Sequence, residues 1–398
     1  MKTPKMDPLS ILKDLIAIPS VNPMGRDTTG DEFFETKLTE YLVRFFETLG
    51  VAHEQIEVAA GRANVIAKFD AGANRRTILL DAHQDTVPVD GMTIAPFEPI
   101  VENGRIYGRG SADVKGGMAA MLSAFARLVG EKPADAANVV MSCTCDEEAT
   151  VMGITDLVKL WSDPARSGSL LSKPPDAAIV AEPTDLDVVV AHRGATRWKI
   201  RTTGRACHSS RPSDGVNAIY KMAAVLKCLE EYADQLDGII APHPLCGSAT
   251  LSVGRIEGGM SVNTVPDVCE IEVDRRVIPG EDSLAVIDQL AEYLRGKLDF
   301  EVEHLPPWNT GVPLPDGDNE ELADRVLREV NAITGPHKKV GVPYGTHASR
   351  IAAKGVPAVV FGPGSIDQAH TKDEWLDIDQ LEQASEVLYR VCSSAGST

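Results

Sequence analysis

The chain has 398 residues, which is too long for one ordinary hydrophobic core, so its length predicts two domains. Its 58 acidic and 39 basic residues give a net charge of −19. A field of that sign repels nucleic acids and anionic membranes, and we expect neither as a partner. No apolar signal core opens the chain, no run approaches the ~20 apolar residues of a membrane span, and the seven cysteines form no CxxC pair. We therefore expect free thiols and a reducing cytoplasm.

Strands and helices alternate along the first half of the chain. Hydrophobic spacing predicts helices at 8–17, 31–49, 116–129 and 153–161, and strands at 65–69, 77–83, 139–145 and 177–181. Such alternation predicts an α/β fold, in which a sheet is covered by helices. Ligands of open α/β sheets gather at the carboxyl ends of the strands, so the polar residues that follow each strand are candidates for function.

The pattern changes near residue 192. The next stretch predicts strands at 198–203, 249–256, 268–277 and 300–304 and helices at 216–232 and 283–298. Their order, βαββαβ, is typical of a small two-layer module. A helix at 319–334, a strand at 358–361 and a closing helix at 378–392 follow. We therefore predict a domain made of residues 1–192 and 306–398, interrupted by a second domain at 193–305.

Imidazoles and carboxylates follow several of these strands. Taken singly, a histidine at a strand end is more often structural, and a Glu-Glu pair usually starts a solvated helix. Two zinc ions that share one bridging carboxylate need five protein ligands, and the chain offers His83, Asp113, Glu148, Glu182 and His370. Glu147 is then left beside a ligand as a general base for the attacking water. Asp85 stands where it could accept the imidazole N–H of His83 and fix its tautomer.

Five motifs carry a resemblance to a known family. They are Asp81-Ala-His-Gln-Asp-Thr-Val-Pro, Gly108-Arg-Gly-Ser-Ala-Asp-Val-Lys-Gly-Gly, Asp146-Glu-Glu, Ala181-Glu-Pro-Thr and Ala369-His-Thr-Lys-Asp-Glu. In this order, over nearly the whole chain, they resemble the metal-site motifs of the co-catalytic zinc exopeptidases and deacylases. That family includes acetylornithine deacetylase, succinyl-diaminopimelate desuccinylase, aminoacylase and a glutamate carboxypeptidase.

The resemblance implies a metal arrangement and an architecture. Two divalent ions per chain are expected, zinc first, with cobalt or manganese as alternatives. One ion would take His83 and Glu182, the other Glu148 and His370, with Asp113 between them. The expected architecture is a catalytic domain with a mixed sheet flanked by helices, interrupted by a ferredoxin-like lid and dimerisation domain, so a homodimer is implied.

The inserted module carries a further motif of the family. The stretch Thr203-Gly-Arg-Ala-Cys-His-Ser-Ser-Arg-Pro contains His208. In relatives this histidine reaches the active site of the partner subunit and polarises the scissile carbonyl, so His208 is a candidate oxyanion donor. The alternative is a loop histidine that caps a turn before the following helix.

Three more positions are candidates for substrate contacts. Asn263 is expected to contact the substrate carbonyl or carboxylate. Arg275 is the candidate clamp for a substrate α-carboxylate, since a guanidinium binds carboxylates with two parallel hydrogen bonds. Arg276 points to the opposite face of its strand, and which arginine faces the cleft stays open, as does a surface salt-bridge role for both. His347 stands where relatives often carry an acidic residue, either as a replacement donor in the substrate pocket or as a structural histidine.

The resemblance also implies an activity. We expect a hydrolase of amino-acid biosynthesis that cleaves the amide bond of an N-acyl amino acid, of the acetylornithine deacetylase or succinyl-diaminopimelate desuccinylase type. A carboxypeptidase or dipeptidase of the same family, acting on a short peptide, is the alternative within the class. A catalytically inactive binding protein with this fold is the alternative from another class.

Overall fold

The chain divides into two compact units in the computed structural model, which describes residues 7–166 and 168–394. Unit 1 is made of residues 1–190, 316–340 and 346–398, and unit 2 of residues 191–315 and 341–345. The boundaries expected from the sequence fall at 192/193 and 305/306, so the observed second crossing lies ten residues further along the chain. Within the described ranges, no helix combines the length and apolar character that crossing a membrane requires.

The elements are as follows in chain order. Residues up to 192 contain α1 (Pro8–Ala17), α2 (Thr36–Leu49), β1 (Ala52–Ala59), β2 (Arg62–Phe69), β3 (Thr77–His83), β4 (Ile100–Glu102), β5 (Arg105–Tyr107), α3 (Lys115–Glu131), β6 (Asn138–Thr144), α4 (Met152–Leu157), β7 (Ala177–Val180) and β8 (Val188–His192). The middle of the chain contains β9 (Gly194–Thr203), β10 (Cys207–His208), α5 (Ala218–Ile239), β11 (Thr250–Gly258), β12 (Thr264–Val265), β13 (Val268–Val277), α6 (Ala285–Lys297), β14 (Glu303–His304) and β15 (Asn309–Gly311). The remainder contains α7 (Glu320–Thr334), β16 (Lys339–Val342), α8 (Ala348–Ala352), β17 (Ala358–Val360), β18 (Trp375–Asp377) and α9 (Ile378–Ser393).

An eight-stranded sheet with the order β1-β2-β6-β3-β7-β17-β8-β16 forms the centre of unit 1. Strand β3 is parallel to both β6 and β7, whereas β2 is antiparallel to β1 and β6. The predicted α/β fold with a mixed sheet flanked by helices is therefore confirmed. Strands β3 and β6 are buried along almost their whole length, as expected for strands covered on both faces. Because β3, β6 and β7 run in the same direction, the residues that follow them meet at one edge of the sheet.

Close packing of α3 brings the segment before it against this edge. A side chain at Gly116 would overlap the main-chain oxygen of Ser111, and one at Gly117 would come within 2.8 Å of the Cβ atom of Ala181. Both positions therefore require glycine. The segment that ends at Asp113 is in this way held close to the end of β7, which precedes Glu182.

Unit 2 contains an antiparallel sheet in which four strands have the order β11-β13-β9-β14. A fifth strand, β15, also pairs with β9. The principal elements of unit 2, β9, α5, β11, β13, α6 and β14, follow the order βαββαβ. Side chains of β9 alternate in burial: Trp198 and Ile200 enter a core shared with α5 and α6, and Arg197, Lys199 and Arg201 lie on the other face. Helix α5 runs seven residues beyond the predicted end at 232, and β14 is shorter than the predicted strand.

Candidate active site

The five predicted metal ligands all belong to unit 1 and come from the ends of its elements. His83 is the last residue of β3, Glu148 follows β6, and Glu182 follows β7. Asp113 lies two residues before α3, and His370 lies in the loop that precedes β18. Parallel strands and the glycine-rich packing of α3 thus account for the convergence of side chains that lie far apart in the sequence.

The carboxylate of Asp113 lies between two imidazoles. Its Oδ1 atom is 3.2 Å from Nε2 of His83, and its Oδ2 atom is 3.3 Å from Nε2 of His370. The same nitrogen of His370 is 3.3 Å from Oε2 of Glu148. One ligand atom each from His83, Asp113 and Glu148 lie within 4.8 Å of one another. A carboxylate with one oxygen toward each imidazole has the arrangement expected of a bridge between two cations.

Negative charge dominates this buried cluster. Burial, followed by the neighbouring carboxylates, raises the pKa of Glu147 to about 8 and that of Glu148 to about 7. Burial and the charge of Asp113 also raise the pKa of Glu182. Burial favours the neutral form of Asp113, but hydrogen bonds from the two imidazoles hold its pKa well below the usual range. The hydrogen bonds to Asp113 and Glu148 raise the pKa of His370 to about 10.

These observations test whether the residues fit a metal ion. Several carboxylates are desolvated together with only two imidazoles, and buried charges of one sign are stable when they coordinate a cation. The Oε1 atom of Glu148 is buried and has no hydrogen-bond partner among the described residues. Carboxylate oxygens and imidazole nitrogens are ligands that zinc, cobalt and manganese accept. The cluster therefore fits divalent cations.

Asp85 acts differently from the expectation. Nδ1 of His83 bonds the main-chain oxygen of Asp85 at 2.9 Å, while the nearest carboxylate oxygen is 3.7 Å away. The carboxylate instead accepts the main-chain N–H groups of Glu147 at 3.0 Å and Glu148 at 3.1 Å. Asp85 thus orients His83 through its backbone, and its side chain fixes the segment that carries Glu147 and Glu148.

Two buried residues hold the carboxylates of Asp85 and Asp146 in place, and neither was identified from the sequence. Asn22 donates to the carboxylate of Asp85 at 2.8 Å and to that of Asp146 at 3.0 Å. Arg62 forms ion pairs with Asp146 and Glu35 and is almost fully buried. Asn22 lies more than sixty positions from Asp85, and no spacing rule links them. Only the structure shows that Arg62 is buried between carboxylates, so the sequence offered no signal at position 62.

His347 is paired with an acidic residue inside the fold. It is 1% exposed, and its Nδ1 atom lies 2.8 Å from Oδ2 of Asp81 and 3.3 Å from the hydroxyl of Thr144. Its ring is 6.4 Å from that of His83 between centroids, in an edge-to-face arrangement. The observed contacts favour the structural alternative over an exposed donor in a substrate pocket.

His208 and Asn263 lie on adjacent loops of unit 2. Strand β10, which ends at His208, pairs with β12, and the main-chain N–H of Ser209 donates to the oxygen of Asn263. Both side chains are exposed, and the Nδ1 atom of His208 is held by Ser210 at 2.8 Å. The Nε2 atom of an imidazole held in this way is directed away from that contact, so it is available to another group.

The prediction for Arg275 requires a correction. Its side chain is 2% exposed, and its guanidinium bonds the carboxylate of Glu281 and the main-chain oxygen of Arg276. These contacts engage both terminal nitrogens of the guanidinium, and the burial of the side chain keeps a substrate carboxylate away from it. Arg276 lies on the opposite face of β13, where its side chain is 32% exposed and pairs with Asp274. Of the two arginines, the structure favours Arg276 as the accessible one.

The fold and the donor cluster define a class, a metal-dependent hydrolase with its cation site at the carboxyl edge of an α/β sheet. Comparison with known proteins identifies the family. The model of peptidase family M20/M25/M40 matches residues 79–394. The chain belongs to this family, and it is a metallohydrolase that acts on linear amides.

Curated relatives and solved structures are similar over almost the whole chain. The chain is 32% identical to acetylornithine deacetylase of Vibrio campbellii, with 96% of this chain and 97% of the relative covered. The Proteus mirabilis acetylornithine deacetylase is 31% identical, with 96% and 94% covered. A tripeptidase from Staphylococcus aureus has a TM-score of 0.76 at 20% identity and 99% coverage of both chains. A dinuclear metal-binding M20 peptidase from Bacillus subtilis has a TM-score of 0.68 at 18% identity, with 97% and 96% covered. These structural likenesses support the fold.

Proposed function

We propose that the chain is a two-metal deacylase that hydrolyses the amide bond of an N-acyl amino acid, with N-acetylornithine as the first candidate substrate. The observation that carries the proposal is the carboxylate of Asp113 between the imidazoles of His83 and His370. The acyl substrate is suggested by the relatives named acetylornithine deacetylase, which match the chain over 96% of its length. With that substrate, the enzyme would act in amino-acid biosynthesis.

His83, Asp113, Glu148, Glu182 and His370 would hold two divalent ions. Zinc is the first candidate because the donors are imidazoles and carboxylates, and cobalt or manganese are alternatives. When bound, such ions act as Lewis acids that polarise a carbonyl and make a water molecule more acidic. The desolvated carboxylates of this cluster supply the negative charge that would attract the ions.

Glu147 is the proposed general base. It accepts a proton from the attacking water and returns it to the departing amine. Its main-chain N–H bonds the carboxylate of Asp85, which fixes its position relative to Glu148. Glu147 and Glu148 lie in the turn that follows β6, where one glutamate could bind a cation while its neighbour faces the water.

Residues of unit 2 would recognise the substrate. His208 of a second copy would donate an N–H to the oxyanion that forms on the acyl carbon. Asn263 would contact the substrate carbonyl, and Arg276 would bind the α-carboxylate in place of Arg275. The Arg276 proposal is supported by its partly exposed position on β13, where it pairs with Asp274, whereas Arg275 is buried against Glu281.

The proposal includes a homodimer formed through unit 2. It is supported by exposed apolar side chains on this unit, where Tyr220 is 77%, Met260 91% and Val262 100% exposed. These residues line a cavity of about 820 Å³. Exposed apolar groups that share one surface are typical of protein interfaces. A reducing compartment such as the cytoplasm is also proposed, because none of the seven cysteines, all within the described ranges, forms a disulfide.

A complementation experiment tests the dimer and His208 together. The variants Glu147→Gln and His208→Ala are each expected to be inactive. When they are mixed and re-equilibrated, a hybrid dimer contains one site with both residues intact. Activity should therefore return to about a quarter of the wild-type value, since random pairing gives hybrids in half of the dimers. A mixture that stays inactive while light scattering shows a dimer would contradict the trans role of His208.

A substrate panel tests the activity itself. Zinc-loaded protein is assayed on N-acetylornithine, other N-acetyl amino acids, N-succinyl-diaminopimelate and a set of dipeptides and tripeptides. We expect the highest kcat/KM on an N-acyl amino acid. A higher kcat/KM on peptides would instead establish the exopeptidase alternative. Absence of hydrolysis across the panel, with the metal bound, would favour a binding protein.

A further inference from the structure

Two residues of the metal-site motifs have no role in the proposed chemistry, namely Arg109 and Glu374. Glu374 is fully buried, and its carboxylate accepts four hydrogen bonds. Its Oε2 atom accepts from the guanidinium of Arg109 at 2.7 Å and from the N–H of Gly110 at 2.9 Å. Its Oε1 atom accepts from the N–H of Ala112 at 2.9 Å and from that of Asp113 at 3.0 Å.

The segment before α3 therefore wraps around a single carboxylate. Its N–H groups at Gly110, Ala112 and Asp113 converge on Glu374, in the manner of the backbone concavities that bind anions. The main-chain N–H of Gly108 also donates to the main-chain oxygen of Glu374 at 3.1 Å. The last N–H in this series belongs to Asp113 itself, so the direction of its side chain depends on this contact.

Arg109 connects its ion pair with Glu374 to the two segments that carry His83 and His370. Its guanidinium donates to the main-chain oxygen of Pro88, five residues after His83, and to that of Thr371, the residue after His370, both at 3.3 Å. The segments that carry both histidines and the central carboxylate thus share one buried contact. This contact lies outside the group of ligand atoms.

Stability alone is a weak reason for such a pair. Replacing a buried ion pair by apolar residues of the same volume is often neutral or stabilising, because two charges lose their hydration. An apolar pair could not accept four donors from a loop and set the direction of its peptide planes. The arrangement is therefore better explained by a requirement for fixed geometry at Asp113.

We propose that Glu374 is a positioning residue for the two-metal site. Through the N–H groups of Ala112 and Asp113 it fixes the bridging carboxylate, and through Arg109 it fixes the segments of His83 and His370. This inference rests on the proposed function, since it assigns Glu374 a role toward ions that Asp113 would bridge. It also assigns a role to a motif position four residues beyond His370, where the carboxylate of Glu374 bonds Arg109 and main-chain N–H groups of the described chain.

The test compares Glu374→Gln with the wild-type protein. Glutamine has the same shape, but its NH2 group faces N–H donors, so part of the loop loses its acceptor. We expect zinc affinity, measured by competition with a chromogenic chelator, to fall about 10–100-fold. Activity should be low at limiting zinc and recover at least partly in excess zinc. The visible d–d absorption of the cobalt-loaded variant should differ from that of the wild type, because it reports ligand geometry.

Two further variants separate positioning from general destabilisation. Glu54→Gln is the matched control: Glu54 also anchors a loop of unit 1 by accepting the N–H of Leu170 and the hydroxyl of Ser169, both at 2.8 Å. It should leave zinc affinity and the cobalt spectrum unchanged. Glu374→Asp retains the charge but is one methylene shorter, so it should fold and show an intermediate loss of zinc affinity. It replaces Glu374→Gln in the test if the glutamine variant is insoluble.

The outcomes distinguish this inference from the proposed function. A wild-type protein that binds two ions, with Glu374 variants of unchanged affinity and spectrum, overturns the positioning role and leaves the function intact. Equal losses in the Glu54 and Glu374 variants also overturn it, because destabilisation would then be sufficient. A wild-type protein that binds no ion overturns both proposals.

Discussion

Two regions of the molecule use aspartate and glutamate side chains in opposite ways. On the outer face of the unit 2 sheet, Arg197 pairs with Asp274 at 2.7 Å, and Arg201 pairs with Glu303 at 3.2 Å. There, bases and acids alternate across neighbouring strands and remain partly exposed. At the carboxyl edge of the unit 1 sheet, Asp113 and Glu148 are buried, and their charged partners are imidazoles. One region is balanced by its own side chains, and the other requires a cation.

The difference shows that charge balance identifies the functional region better than charge density does. Paired acids have lowered pKa values, as for Glu270, where the hydrogen bond from Arg201 is the main cause. The pKa of Glu148 is raised, mainly by burial. Groups whose pKa values are shifted by desolvation and by specific neighbours are typical of active sites.

Removal of metal should have the largest effect. We expect a chelator to abolish hydrolysis and zinc to restore it, because the carboxyl edge then lacks its compensating charge. Bound zinc should also raise the free energy of unfolding, by about 2.7 kcal/mol when free zinc is 100 times the Kd. Activity assays and urea unfolding with and without zinc measure both effects. Full activity in exhaustively dialysed, metal-free protein would contradict the contrast between the two regions.

Replacement of the general base should have the next largest effect. Glu147→Gln should lower kcat by about 10²–10⁴-fold, since that is the usual contribution of a positioned base. The zinc content should stay at the wild-type value because Glu147 is not a proposed ligand. Metal analysis of the same sample is the control. Loss of one ion in this variant would make Glu147 a ligand and require a different base.

Neutralisation of one acid in each region should have opposite effects on stability. Burial and the charge of Asp113 raise the pKa of Glu148 to about 7, above the usual glutamate value of 4.5. The folded metal-free protein then binds the proton more tightly than the unfolded chain, so stability falls as the pH rises from about 4.5 through 7. Without metal, Glu148→Gln should be more stable than the wild type at pH 8, by about 1–2 kcal/mol, and similar to it at pH 5.

Glu270→Gln is the matched experiment on unit 2. Its hydrogen bond with Arg201 lowers the pKa of Glu270, so the ionised form stabilises the fold at pH 8. The variant should be less stable by under about 1 kcal/mol, since exposed pairs contribute little. Urea unfolding at both pH values gives the comparison. The same sign for both variants would remove the distinction between the two regions.

The smallest effect is expected at the exposed end of the unit 2 pairs. Arg201→Gln should lower the free energy of unfolding only slightly, although Arg201 contacts both Glu270 and Glu303. The loss should shrink further in high salt, because exposed charges are screened. Catalytic constants should not change. A loss that persists at high salt would indicate that packing, and not charge, is the contribution of Arg201.

The sequence pattern was sufficient to predict an α/β sheet covered by helices and to place candidate ligands along it, whereas the mixed character of the sheet was implied by the family resemblance. Continuous apolar runs identified the buried strands, and His83 and Glu148 follow such runs directly. The structure brings Asp113 and His370 to the same place, although neither is at a strand end. For these two residues the prediction depended on the family motifs, because hydrophobic periodicity does not encode the geometry of a loop.

Other contacts could not be predicted for physical reasons. Strand alternation separates Arg275 from Arg276, but it does not say which face a helix or another carboxylate covers, so the choice of Arg275 was corrected by its contact with Glu281. The backbone contact of His83 with Asp85 depends on peptide orientation after β3, which side-chain spacing does not report. Asn22 joins Asp85 from a distant segment, and only the folded chain brings them together.

The shared anchor on Asp85 has a consequence for attempts to redesign the enzyme. Because one carboxylate accepts the N–H groups of both Glu147 and Glu148, the backbone of the base and that of its neighbour move as a unit. A substitution at Glu148 that widens the site for a larger cation will therefore displace Glu147, the proposed proton acceptor, as well. Engineers who want a different metal preference should vary Glu182 or His370, whose segments are not tied to this anchor, and leave the two adjacent glutamates as they are.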